Sequence, residues 1–205
     1  MLFRCCFCAL FVLFAQPSVA ADAQAGQAAY AVCAACHGPD GAGNQALNAP
    51  KIAGQEAWYL TRQMQAFIAG HRGTANGDVP GMQMRPMAMA VSDATAQANL
   101  AAYIQSLPSV KPAASVAGDA AKGQAAYAVC AACHGQQAEG NEQLGGPRLA
   151  GMDDWYLVRQ IQNYQQDLRG YHAEDIFGRQ MKPMAATLAT EQAIIDVVAF
   201  INSLD

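Results

Sequence analysis

Apolar residues recur along this chain at helical spacing, and they do so twice. From about Glu56 to Ala69, residues Trp58, Leu60, Met64, Phe67 and Ile68 fall near one face of a 3.6-residue period, and Trp155, Leu157, Ile161 and Tyr164 repeat the pattern further on. Each stretch is followed by another: about Ser92 to Ser106, with Leu100, Tyr103, Ile104 and Leu107, and Thr190 to Ser203, with Val197, Phe200, Ile201 and Leu204. Upstream, Asp22 and Asp119 stand where an N-cap would open a helix carrying Gln-Ala-Ala-Tyr-Ala-Val. No credible run of alternating strand pattern is present, so the chain reads as all-α.

Residues 1–20 have a different pattern. Arg4 supplies a positive charge, Leu2 to Phe14 is a short apolar run, and Ser18-Val19-Ala20 presents small residues for cleavage, which together predict an export signal. The run is too short to span a bilayer. Cys5, Cys6 and Cys8 leave with the signal, so that four of the seven cysteines remain: Cys33, Cys36, Cys130 and Cys133. Loss of Arg4 also makes the formal net charge of −4 one unit more negative. An exported protein ordinarily joins its cysteines in disulfides; the spacing of these four argues otherwise.

Sliding the chain against itself explains the duplicated pattern. At an offset of 97 residues, Gly26 to Gly38 recurs letter for letter as Gly123 to Gly135. Pro50 then pairs with Pro147, Ala53-Gly54 with Ala150-Gly151, Trp58-Tyr59-Leu60 with Trp155-Tyr156-Leu157, and Arg62-Gln63 with Arg159-Gln160. Gly73 and Gly170, Gly81 and Gly178, Met84 and Met181, and Pro86-Met87-Ala88 and Pro183-Met184-Ala185 also match. The expected organisation is a domain over 21–107, a linker over 108–118 rich in Pro, Ala and Ser, and a second domain over 119–205. Domains this small have marginal cores, so a large bound cofactor would also be a structural component.

Composition narrows the function. Twelve Lys and Arg against sixteen Asp and Glu, with no basic tract, leave no field suited to a phosphate backbone, which excludes nucleic acid as a partner. The first domain is near neutral, whereas residues 108–205, the linker and second domain together, carry a net −4.

Cys33-Ala-Ala-Cys36-His37 and Cys130-Ala-Ala-Cys133-His134 are Cys-x-x-Cys-His pentapeptides, the attachment pattern of c-type haem. Two thiols three residues apart on one helical turn can reach the two vinyl groups of a porphyrin edge, and the adjacent imidazole then faces the iron. A thioredoxin-like dithiol needs a βαβ context that is absent, and a zinc site needs a second histidine at ligand spacing. The other two histidines, His71 and His172, do not correspond under the repeat and read as exposed loop residues. Two haem c groups are therefore expected, held by Cys33, Cys36, Cys130 and Cys133, with His37 and His134 as axial iron ligands.

A sixth ligand from methionine raises the potential of such an iron. The repeat acts as a filter, because Met82 and Met89 have no methionine mates, whereas Met84/Met181 and Met87/Met184 do. Met84 and Met181 are chosen because each stands in a Met-x-Pro segment expected to be extended, with Met87 and Met184 packing on the porphyrin face. Pro50 and Pro147 could offer carbonyls to the His37 and His134 Nδ1–H. Arg62, Arg159, Tyr59 and Tyr156 could meet haem propionates, although solvated helix faces and core packing account for them as well.

These features resemble the diheme cytochrome c4 family: an export signal, tandem Cys-x-x-Cys-His domains, the Pro-x-(Ile/Leu)-Ala-Gly loop, and a methionine segment before each last helix. The resemblance covers essentially all of the chain beyond the signal. It implies two cytochrome c-like domains about a pseudo-twofold axis with neighbouring propionate edges, and Met84 and Met181 in the axial position. It also implies a periplasmic electron carrier, not an enzyme, serving redox proteins such as a membrane terminal oxidase or a quinol-oxidising complex, with room for peripheral membrane association. The alternative is a haem subunit of a larger dehydrogenase, for example a flavin-containing sulfide-oxidising complex. One departure is Leu188-Ala-Thr190, where the family tends to have Leu-Ser-Asp, which alters the expected cap of the last helix.

Overall fold

The computed structural model describes residues 20–204; the expected signal sequence lies outside them apart from Ala20. In the first half, α1 (Ala23–His37), α2 (Ala57–Ile68), α3 (Val79–Met89) and α4 (Ala94–Ser106) follow one another, and the second half repeats them as α5 (Ala120–Tyr127) and α6 (Ala131–His134), α7 (Asp154–Gln165), α8 (Ile176–Ala186) and α9 (Glu191–Ser203). Short 3₁₀ turns, Gln45–Leu47 and Glu142–Leu144, lie in the loops after the histidines. No β-strand is formed among the described residues beyond two isolated bridges.

Local chemistry accounts for the helix starts. Asp22 accepts from the amides of Gln24 and Ala25, and Asp119 from those of Ala121 and Lys122, satisfying backbone donors that a helix leaves free. Asp93 caps α4 at the Ala96 amide and Thr190 caps α9 at the Ala193 amide, so the departure at Thr190 changes the capping group and keeps the cap. α1 runs unbroken, whereas its mate is interrupted between Tyr127 and Ala131 despite an identical sequence over Gly26–Gly38 and Gly123–Gly135; nothing within that segment explains the difference.

Each half has its own core. Tyr30, Met64, Phe67, Leu100, Ala101 and Ile104 are buried together in the first, and Tyr127, Leu157, Ile161, Val197, Val198 and Ile201 in the second. The first and last helices of each half cross at a glycine. A β-carbon at Gly26 would overlap the Asn99 carbonyl, and one at Gly123 that of Asp196. The same two side chains, Asn99 and Asp196, accept the amides of Asp22 and Asp119 at 2.7 and 2.8 Å.

The halves pack through contacts made in duplicate. The Lys51 amide donates to Asp153 at 2.6 Å, and the Arg148 amide donates to Glu56 at 2.9 Å; Lys51 and Arg148 are repeat mates, as are Glu56 and Asp153. Arg62 donates to the Gly145 carbonyl at 2.7 Å, and its mate Arg159 to the carbonyl and side chain of Asn48, the mate of Gly145, at 3.0 and 2.7 Å. The Gln63 side-chain oxygen accepts from Arg72 at 2.7 Å and Arg169 at 3.2 Å, while that of Gln160 accepts from Arg169 at 2.8 Å and Arg72 at 3.4 Å. Thr74 and Tyr171, also mates, bond to each other through their hydroxyls at 2.7 Å. Mates that touch each other must lie on the axis relating them, so the repeat is arranged about a pseudo-twofold passing close to Thr74 and Tyr171.

Burial raises the Asp153 carboxyl against its bond from Lys51, and burial likewise raises Glu56 against its contacts with Arg148. The folded protein therefore holds protons that the unfolded chain has released, and stability contributed here falls as pH rises from the ordinary carboxylate range through the raised folded values. The double variant Glu56→Gln, Asp153→Asn retains acceptor oxygens and is expected to show a flatter dependence of Tm on pH between about pH 4 and 7 than the parent.

The segment joining α4 to α5 is docked on the second half. The Ser115 and Val116 amides donate to Asp154 at 2.6 and 2.9 Å, and the Ser115 hydroxyl at 2.5 Å. Burial raises this carboxyl, but those bonds outweigh it and hold it below the usual range. Asp154→Ala should cost about 1.5–3 kcal/mol, the scale of a charged hydrogen bond, and accelerate proteolysis between residues 108 and 118.

Candidate functional site

α1 and the α5–α6 pair both end on a Cys-x-x-Cys-His segment, turned by a glycine at positive φ, Gly38 at 82° and Gly135 at 83°. Tyr30 and Tyr127 fix these turns by donating their hydroxyls to the Gly38 and Gly135 carbonyls at 2.6 and 2.8 Å. In each half the first cysteine, Cys33 or Cys130, is half-buried and the second, Cys36 or Cys133, is exposed; none of the four is in a disulfide.

His37 and His134 are buried, and their Nδ1 atoms lie 2.7 Å from the carbonyls of Pro50 and Pro147. A carbonyl can only accept, so Nδ1 carries the proton and the Nε2 lone pair is left for a metal. Burial lowers the pKa of both rings, against the opposing pull of these carbonyls, which favours the neutral imidazole a metal requires. Turn, tyrosine, histidine and proline carbonyl recur in both halves as the repeat predicts.

A cavity of about 370 Å³ runs between the two motifs and across the seam. All four cysteines line it, Cys33 and Cys36 with His37 and Met84 from one half and Cys130 and Cys133 with His134 and Met181 from the other. Met84 and Met181 pack against the two cores, whereas Met87 and Met184 remain 39% and 41% exposed. The expected extended Met-x-Pro loop is not what forms: α3 and α8 run through Pro86 and Pro183. Each helix is started by an aspartate, Asp78 accepting from Gly81 at 3.0 Å and Asp175 from Gly178 at 2.9 Å, and Pro80 sits in the first turn of α3, where a missing N–H is harmless. The interior proline then removes a single ladder bond.

The arginines are not on solvated faces. Arg62 lies over Trp58, Tyr59 and the opposite half's Phe177, and Arg159 over Trp155 and Tyr156. Burial lowers the pKa of both guanidiniums. Arg72 and Arg169, a repeat pair absent from the expected site, join them in lining the cavity. The Nε–H groups of all four are buried with no hydrogen-bond partner. Burial pushes the Tyr59 phenol up, yet Arg169, Arg72 and Arg62 together pull it below its ordinary value. Unpaired buried donors on four cations call for an anion.

The residues present fit haem. Each half supplies two thiols and a neutral imidazole with its second nitrogen fixed. Apolar side chains in repeat pairs, Val32/Val129 and Leu47/Leu144, line the cavity while keeping 42–50% of their surface exposed. The orphaned guanidinium N–H groups match the carboxylates that a haem carries. His71 and His172, expected as exposed loop residues, are instead half-buried and stacked on each other, with ring centroids 4.4 Å apart.

Comparison with known proteins agrees with this geometry. The cytochrome c family model matches residues 23–108 and again 120–205. Cytochrome c4 of Azotobacter vinelandii is 34% identical over 202 residues, covering 90% of each chain. A thiosulfate dehydrogenase electron acceptor of Stutzerimonas stutzeri is 32% identical over 166 residues, covering 75% of this chain and 72% of its own. Reduced recombinant cytochrome c4 from Pseudomonas stutzeri superposes with a TM-score of 0.71 at 29% identity, over 91% of this chain and all of that one. Thiosulfate dehydrogenase from Marichromatium purpuratum gives 0.70 at 27% identity, over 89% of this chain and 40% of that one. The chain thus belongs to the cytochrome c family, among the diheme cytochromes c4: an electron carrier built of two tandem cytochrome c domains with two haem c groups.

Proposed function

We propose that this protein works in the periplasm, moving single electrons between protein partners and on towards a terminal oxidase, with Cys33, Cys36, Cys130 and Cys133 as the haem attachment points and His37/Met84 and His134/Met181 as the axial pairs. The observation that carries the reading is that one cavity brings together, in each half, the attachment motif, a buried imidazole and a core-packed methionine. Haem c bound there supplies a one-electron iron couple. The chain's own residues would hold it: the Pro50 and Pro147 carbonyls orient the imidazoles, Met84 and Met181 would serve as the second ligands, and the four arginines with unpaired Nε–H groups would neutralise its carboxylates. A cavity continuous across the seam supports close approach of the two redox centres.

A second reading concerns the donor. Relatives include a thiosulfate dehydrogenase electron acceptor, and a similar fold makes up part of a thiosulfate dehydrogenase structure; the proposal on this side is that electrons enter from a sulfur-compound dehydrogenase. Stopped-flow mixing of the diheme protein with a thiosulfate dehydrogenase, and separately with a terminal oxidase, tests both ends. Fast one-electron exchange that slows with salt is expected, since the second half carries the acidic excess, with negligible turnover of peroxide, sulfide or thiosulfate by the carrier alone. Turnover of any of these by the isolated protein would overturn the carrier reading.

A further inference from the structure

The chain has four histidines, two of which belong to the attachment motifs. The other two, from loops on opposite halves, meet at the seam. His71, before α3, and His172, before α8, stack with ring centroids 4.4 Å apart and an interplanar angle of 25°. Glu174 joins them, with its Oε2 3.3 Å from the Nε2 of His71 across 103 residues of sequence. One ligand atom from each of the three side chains lies within 4.8 Å of the others.

The geometry points to a binding site for one divalent transition-metal ion of the zinc class, bridging the two domains through His71, His172 and Glu174. Two ligand atoms on a tetrahedral zinc, with bonds of about 2.0–2.1 Å, stand about 3.3 Å apart. His71 and Glu174 already have that spacing. Two imidazoles and a carboxylate suit zinc and copper; calcium and magnesium select all-oxygen sets. The burial of the members is graded in a useful way: the His71 side chain is 20% exposed and held by the stack, whereas that of Glu174 is 78% exposed and free to swing onto an ion. A fourth position is left to water.

Binding requires two adjustments. The rings must splay so that their lone pairs converge. The Glu174 amide donates weakly to His172 Nδ1 at 3.3 Å; a metal at His172 Nε2 places the proton on Nδ1, so that contact is exchanged for the metal bond. Both changes lie in side chains, and the backbone around them is pinned by the adjacent Thr74–Tyr171 bond.

The experiment is calorimetric titration of ZnCl₂ into the EDTA-treated holoprotein, in which covalent haem occupies His37 and His134 and removes them from competition. One zinc per chain is expected, seen also by native mass spectrometry. His71→Gln and His172→Gln should each weaken it at least tenfold, and Glu174→Gln severalfold, while both haem spectra stay unchanged. His71→Ala and His172→Ala provide a second pair should a glutamine alter the loop. No binding by the parent protein, or a change of less than tenfold in both His71 variants or in both His172 variants, would overturn the site.

Discussion

Met84→Ala and Met181→Ala are each expected to lower the midpoint potential of one haem and leave the other in place. Axial ligand choice spans about 0.8 V across haem proteins, and the drop here should be on the order of 100 mV or more. Removing the thioether also opens that iron to carbon monoxide. Met87→Ala and Met184→Ala should do far less, because those side chains hold 39% and 41% exposure at the cavity rim while Met84 and Met181 pack on the cores. Redox titration with spectra of the ferric long-wavelength band decides the matter. Loss of that band in Met87→Ala, with retention in Met84→Ala, would reverse the assignment.

The second large effect has the opposite sign from helix propensity. Gly26 and Gly123 lie inside helices, where alanine normally stabilises by up to about 1 kcal/mol. Here an added methyl would meet the Asn99 or Asp196 carbonyl, backbone that cannot rotate away. Gly26→Ala and Gly123→Ala should each destabilise by about 1–3 kcal/mol, the usual scale of overpacking, in the half that carries the change. Denaturant unfolding followed by the Soret band and by far-ultraviolet circular dichroism measures it, and a stabilised variant would show that the helix crossing relaxes at little cost.

Most helices were legible because their signals are local: Asp22, Asp119 and Asp93 cap them, and the apolar period marks their buried faces. α3 and α8 are not legible in the pattern, although Asp78 followed by Pro80 is a helix start, because the interior prolines at 86 and 183 are the residues that ordinarily break a helix. The attachment motifs and the repeat were plain from spacing alone. The missed site residues share a cause. Arg72 and Arg169 pair under the repeat and flank the paired glycines Gly73 and Gly170, but their role is visible only when Gln63 and Gln160 arrive from opposite halves. His71 and His172 do not correspond under the offset, and it is the twofold packing that brings them into contact.

The duplicated seam has a thermodynamic consequence. It has the self-complementary form of a homodimer interface, yet both copies are carried on one chain, joined by a short segment whose Ser115 and Val116 are tied down by Asp154. Tethering turns association into an intramolecular step, with an effective concentration that reaches millimolar for short linkers. A polar contact set too weak to hold separate subunits at cellular dilution can therefore stay closed. It also frees the two copies from having to remain identical. Lys51 against Arg148, Asn48 against Gly145 and Thr74 against Tyr171 record that drift: a tethered pair can vary one side of a contact without varying the other, which two copies of a single subunit cannot do.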